Sequence, residues 1–146
     1  MTISSIVEWF KVAKPTPTAD DCKGQIIYHV EEFIEMLQAI NAPVHLVDSL
    51  TRLQESIRQS DSQTFLEGIG KVALLDALCD QIVTAIGIGV MLGFDMEKAL
   101  AEVNRSNYTK FKPYDGGYLP YIRPDGKIGK NPDTYEEPQL EQFIGD

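Results

Sequence analysis

The stretch KVALLDALCDQIVTAIGIGVM, residues 71–91, decides the fold class. It contains no proline and its apolar residues recur at three-and-four spacing, so it reads as one helix, expected over Lys71–Met91. Leu74, Leu75, Leu78, Ile82, Val83, Ile86, Ile88 and Val90 spread over most of its circumference. A helix in a small monomer usually keeps one polar face, so this one is expected at the centre of a bundle or at a subunit interface. After Lys71 only Asp76 and Asp80 carry charge, one turn apart and therefore on one side. Cys79, beside them, reads as core.

The signals on either side are also helical. Ile3, Ile6, Val7 and Phe10 make a short amphipathic helix that stops before Pro15 and Pro17. A second helix is expected from about Thr18 or Asp20 to about Ile40, with Ile26, Ile27, Val30, Phe33, Ile34 and Leu37 on one face. Asn41, Ala42 and Pro43 read as cap and first turn of a third, whose apolar stripe is Leu46, Leu50, Leu53 and Ile57. Ser60, Asp61 and Ser62 break it; a shorter piece from about Ser62 and a bend at Gly68 and Gly70 precede the long helix. Asp95 caps a last helix from Met96 to about Ser106. The expectation is an all-α fold: one domain over residues 1–146, a bundle of four to five helices to about residue 111 and an irregular tail over about 112–146.

Glu31, Glu32 and Glu35 fall within an arc of roughly 100° beside the apolar face of the second helix. They and the Asp76–Asp80 pair are two sets of carboxylates flanking apolar faces, and carboxylates clustered on half-buried faces repel one another unless protons or cations intervene. A hard divalent cation is the usual remedy: Mg²⁺ takes oxygen ligands and keeps positions for water and substrate phosphates. His29 and His45 lack the spacing of a metal pair, so an oxygen-only donor set favours Mg²⁺ or Mn²⁺ over zinc or iron, and the di-iron carboxylate bundle loses its histidines. There is no Walker loop, GxSxG element or Cys/His dyad signature.

EExxE on one helix, an acidic pair in DALCDQIVTAIG on a later one, and NRSNYTKF one helix further resemble the all-α nucleoside triphosphate pyrophosphohydrolases, the MazG-like and phosphoribosyl-ATP pyrophosphohydrolase-like group. The resemblance runs from about Gln25 to about Lys130. One departure stands out: the family's second motif is usually ExxD, whereas here Ala77 stands three before Asp80 and the acidic partner is Asp76, four before. The resemblance implies cleavage of a nucleoside triphosphate between its α and β phosphates in a homodimer or tetramer. It implies Glu32, Glu35, Asp76 and Asp80 as metal ligands, with Asp76 the departure, Glu31 as candidate base, and Asn107 and Lys110, in the family's NxxK placement, as substrate contacts.

After Asn107 tyrosine, glycine, proline and aspartate dominate, with turn signals at Asp115-Gly116-Gly117 and at Pro124-Asp125-Gly126-Lys127. YLPYIRPDGKIG is expected to form a short hairpin around Asp125-Gly126. Arg105, Lys110, Lys112, Arg123, Lys127 and Lys130 concentrate positive charge here and are candidate phosphate contacts; Lys127 joins Asn107 and Lys110 in the substrate set. Trp9 and Phe10 read as helix packing, not as a platform for a base.

A net charge of −9 argues against tight binding of duplex nucleic acid or of an anionic membrane, both of which require a basic face. Two cysteines without CxxC spacing, no signal peptide and a best apolar run, Ile82 to Phe94, too short to span a bilayer point to a cytoplasmic setting. The expected activity is a Mg²⁺-dependent pyrophosphohydrolase. The rival of another class is a non-catalytic helical oligomer with a regulatory or assembly role, in which the acidic helices face solvent.

Overall fold

Prolines, acidic caps and glycines set the helix ends. The computed structural model describes residues 3–145, so the extremes of the expected domain, Met1, Thr2 and Asp146, lie outside the described residues. Helix α1, Ile3–Ala13, stops ahead of Pro15. Helix α2, Ala19–Ala39, starts at a reciprocal cap: the Thr18 hydroxyl accepts the Asp21 backbone N–H at 3.2 Å, and the Asp21 carboxylate accepts that of Thr18 at 2.9 Å. Just beyond its end at Ala39 and the cap residue Ile40, Asn41 turns the chain with a positive φ of 55°.

Helix α3, Val44–Gln59, begins one residue after Pro43, so this proline lies just outside the first turn where it was expected to lie within. Asp61 accepts from Thr64 N–H at 2.8 Å and caps α4, Ser62–Glu67. Helix α5 covers Lys71–Met91, the span read from the sequence. Gly93, at φ 81°, closes it: Phe94 N–H donates to the Gly89 oxygen and Gly93 N–H to that of Val90, the paired bonds of a Schellman motif. Asp95 caps α6, Met96–Tyr108, by accepting from Lys98 N–H.

The all-α class holds, with one small two-stranded sheet among the described residues. Strands β1, Phe111–Tyr114, and β2, Gly117–Pro120, pair antiparallel around Asp115-Gly116, with Phe111 opposite Pro120. The expected hairpin around Asp125-Gly126 is reduced to one bridge, Ile122 with Ile128. Around Asp125-Gly126 Arg123 N–H donates to the Lys127 oxygen, Gly126 N–H to that of Arg123 and Gly129 N–H to that of Tyr121, while the regular ladder forms one turn earlier.

The chain divides into two compact units, residues 16–74 and residues 1–15 with 75–146. In the first, α2 packs against α3 and α4 and buries Ile27 and Ile34. Polar ties fasten it: Gln54 Nε2 donates to the Ile27 oxygen at 3.2 Å, Lys23 Nζ to that of Ser60 at 2.7 Å, and the Ser62 hydroxyl to Asp20.

In the second unit Trp9, Ala13 and Phe111 form the core, flanked by Val12, Tyr108 and Ile128. Trp9 and Phe111 stack with ring centroids 5.1 Å apart, and Phe111 is 1 % exposed. The C-terminal segment runs back along α6. Ser106 Oγ donates to the Glu136 oxygen, Glu136 N–H donates to Thr109 Oγ1, Thr134 Oγ1 donates to the Thr109 oxygen, and Asp95 N–H donates to the Phe143 oxygen, all at 2.7 to 2.8 Å. The tail is thus part of the unit's packing rather than an extension added after residue 111.

Helix α5 departs from its expected surroundings. Its buried residue is Gly89, beside Met96, whereas Ile82 is 50 % exposed, Val83 66 % and Met91 88 %. Cys79, read as core, is exposed. Apolar periodicity reports what a helix can bury; what packs there is decided elsewhere. By length and composition α5 is also long and apolar enough to cross a membrane, which the run from Ile82 to Phe94 was too short to do.

Candidate functional site

Helix α2 carries Glu31 and Glu32 on one turn and Glu35 on the next, because no proline or internal glycine interrupts it between Gln25 and Ala39. Glu31 is half-buried, while Glu32 and Glu35 are exposed. All three belong to the unit of residues 16–74.

Asp76 and Asp80 lie one turn apart on α5, in the other unit, and both are exposed. The half-buried setting expected of them is therefore corrected: water screens their repulsion, and burial does not by itself demand a countercharge. Thr84, a turn further, donates its hydroxyl to the Asp80 main-chain oxygen at 2.8 Å. Among the described residues no group of three or more His, Cys, Asp or Glu side chains is gathered closely enough to hold a metal ion.

The NxxK pair is the best-defined part of the candidate set. Asn107 and Lys110 sit at the C-terminal end of α6, both half-buried, and Lys110 Nζ donates to Asn107 Oδ1 at 2.7 Å. The Asn107 main-chain oxygen accepts Trp9 Nε1–H at 2.8 Å, so α1 holds the residue that holds the lysine. An open cleft beside them is lined by Ile6, Trp9, Phe10, Val103, Asn104 and Asn107. Asn104 is buried and donates to Ser5 Oγ at 3.1 Å.

Lys127 follows the second turn. Its backbone N–H donates to Asp125 Oδ1 at 3.1 Å, and Lys14 Nζ donates to the Gly126 oxygen at 3.0 Å, which ties this turn to α1. Several other cations already face carboxylates. Arg105 bridges Glu102 at 2.8 Å and Glu136 at 2.6 Å, Arg123 meets Asp125 at 3.0 Å, and Lys130 lies 3.6 Å from Glu137 and over the Tyr135 ring. All three cations therefore have carboxylate partners while their side chains stay exposed.

The Arg105 guanidinium and, after it, the Gln139 backbone N–H hold the Glu102 carboxyl at about 2, well below its ordinary 4.5. Glu102 in turn keeps Arg105 protonated. This cluster escapes sequence reading because Glu136 and Gln139 are some thirty residues from α6; only the Glu102–Arg105 spacing of three was visible.

No protein-family model, no curated protein and no solved structure matches the chain.

Proposed function

We propose that the protein is a divalent-cation-dependent nucleoside triphosphate pyrophosphohydrolase of MazG-like type. Water attacks phosphorus, the bond between the α and β phosphates breaks, and the monophosphate and pyrophosphate leave. The observation that carries the reading is the order of three motifs on continuous helices: EExxE on α2, the Asp76–Asp80 pair on α5, and Asn107 with Lys110 at the end of α6.

The donor type suits a hard cation, since Glu32, Glu35, Asp76 and Asp80 offer carboxylate oxygens alone, although the described residues do not gather three of them at one point. When bound, Mg²⁺, or Mn²⁺ in its place, supplies charge neutralisation at the phosphate oxygens. The chain's own residues do the rest. Glu31 takes the proton of the attacking water. Lys110, held by Asn107, binds phosphate oxygens as a point charge, and Lys127 adds a second cation from the tail.

The test is the purified protein with Mg²⁺ and a panel of ribo- and deoxyribonucleoside triphosphates, with pyrophosphate and monophosphate quantified. Equal amounts of both are expected for at least one nucleotide. Orthophosphate as the released product, or no turnover across the panel, would refute the reading and leave a non-catalytic helical protein.

A further inference from the structure

We infer that the cleft between α1 and α6 seats the nucleobase of the substrate, with the side-chain oxygen of Asn104 accepting an N–H of the base. The inference rests on the pyrophosphohydrolase reading for the identity of its occupant. Leu100, Val103, Asn104 and Asn107 fall at i, i+3, i+4 and i+7 and so share one face of α6, while Ile6 and Phe10, a turn apart on α1, line the same space. The walls are apolar, and among the described residues no charged side chain lines them. At about 320 Å³, open mouth included, the cleft lies at the small end of small-molecule sites, room for one ring system rather than a whole nucleoside triphosphate.

Asn104 chooses the occupant. It is 8 % exposed, and its amide nitrogen donates to Ser5 Oγ at 3.1 Å, whereas its side-chain oxygen accepts from no donor among the described residues. A hydrocarbon in the cleft would strip water from that oxygen and leave it unpaired, which opposes an aliphatic chain. A flat heterocycle bearing an N–H satisfies the oxygen and covers the apolar walls at once. Position adds a second argument. Asn107 lines the same cleft and accepts Lys110 Nζ at 2.7 Å, so a ligand with a ring at one end and phosphates at the other engages the cleft and the lysine together. Trp9 keeps its packing role, stacked on Phe111; as the single tryptophan of the sequence, bordering the cleft, it reports what enters.

Trp9 emission from the full chain tests the inference, with adenosine, guanosine, cytidine, uridine and thymidine as probes. At least one nucleoside should change the emission saturably, with ribose and inorganic triphosphate silent. Asn104→Ala should weaken that binding at least tenfold with the helical circular dichroism retained. Emission unchanged by every nucleoside, or Asn104→Ala binding as wild type does, overturns the inference. Saturable binding of decanoate and of no nucleoside would likewise overturn it, in favour of an aliphatic occupant. Should Asn104→Ala lose its helices, Leu100→Tyr fills the cleft from its exposed rim and should abolish the nucleoside signal; a signal kept at wild-type strength counts against the seat. Nucleosides carry no phosphate, so the two readings fail separately: nucleoside binding without turnover of any triphosphate refutes the activity and leaves the seat, and turnover with Trp9 silent refutes the seat alone.

Discussion

Trp9 donates its indole N–H to the main-chain oxygen of Asn107, 98 positions later in the chain, over 2.8 Å. The same ring stacks on Phe111, so α1, the end of α6 and the start of the hairpin meet at one side chain. Trp9→Phe keeps an aromatic ring and loses the donor. It should cost about 1–2 kcal/mol, the value of a partly buried hydrogen bond whose acceptor is left unpaired, measured by urea unfolding against wild type.

The carboxylates are tested by near-isosteric neutralisation. Glu35→Gln and Asp80→Asn should each lower Mg²⁺-dependent pyrophosphate release by about 100-fold or more, the loss of several kcal/mol of charge stabilisation. Both residues are exposed, so melting temperatures should stay near wild type. Turnover within twofold of wild type in both variants would remove them from the site.

Lys110→Ala addresses the phosphate contact. A lysine that already touches the ground-state phosphates contributes uniform binding, so KM should rise about tenfold, equivalent to about 1.4 kcal/mol, with kcat little changed. A fall in kcat at constant KM would instead assign the lysine to charge that develops during reaction.

Glu102 gives the acid limb a sign. Its folded carboxyl sits at about 2 against an ordinary 4.5, so the stabilisation is complete above about 4.5 and is lost as pH falls towards 2. Comparing wild type with Glu102→Gln by thermal melting, the gap between them should be widest above pH 4.5 and close as the solution is acidified through that window. A gap constant with pH would mean that the carboxylate's charge is not what fastens the tail to α6.

Gly93 occupies the left-handed position that ends α5, with open space around a would-be Cβ. Gly93→Ala should therefore cost about 1–2 kcal/mol through backbone strain alone, and Gly93→Asn less, since asparagine tolerates this region better. Chemical denaturation of both variants checks the ranking.

Most of the helical framework could be read from local chemistry. Thr18, Asp61 and Asp95 mark helix starts because their short oxygens satisfy free backbone donors, and α5 was delimited at both ends. The hairpin was displaced because two Asp-Gly turns compete, both flanked by prolines, and no local signal tells them apart. Burial was the least legible property: Cys79 and Asp76 share a helix that reads as core by composition, yet both are exposed. In the candidate site, the NxxK pair was visible as a spacing of three, which the turn closing α6 brings together, with Lys110 N–H donating to the Asn107 oxygen. Its anchoring to Trp9, and the pairing of Arg105 with Glu136, depend on long-range packing that no local pattern encodes.

Trp9 is the single tryptophan of the sequence, and it sits in the core of the unit formed by residues 1–15 and 75–146. Indole emission is thus a private signal of that unit, whereas far-ultraviolet dichroism counts the helices of both. Superimposable melting curves from the two probes would mean that α2, α3 and α4 melt together with the aromatic junction; separated curves would give residues 16–74 a folding transition of their own.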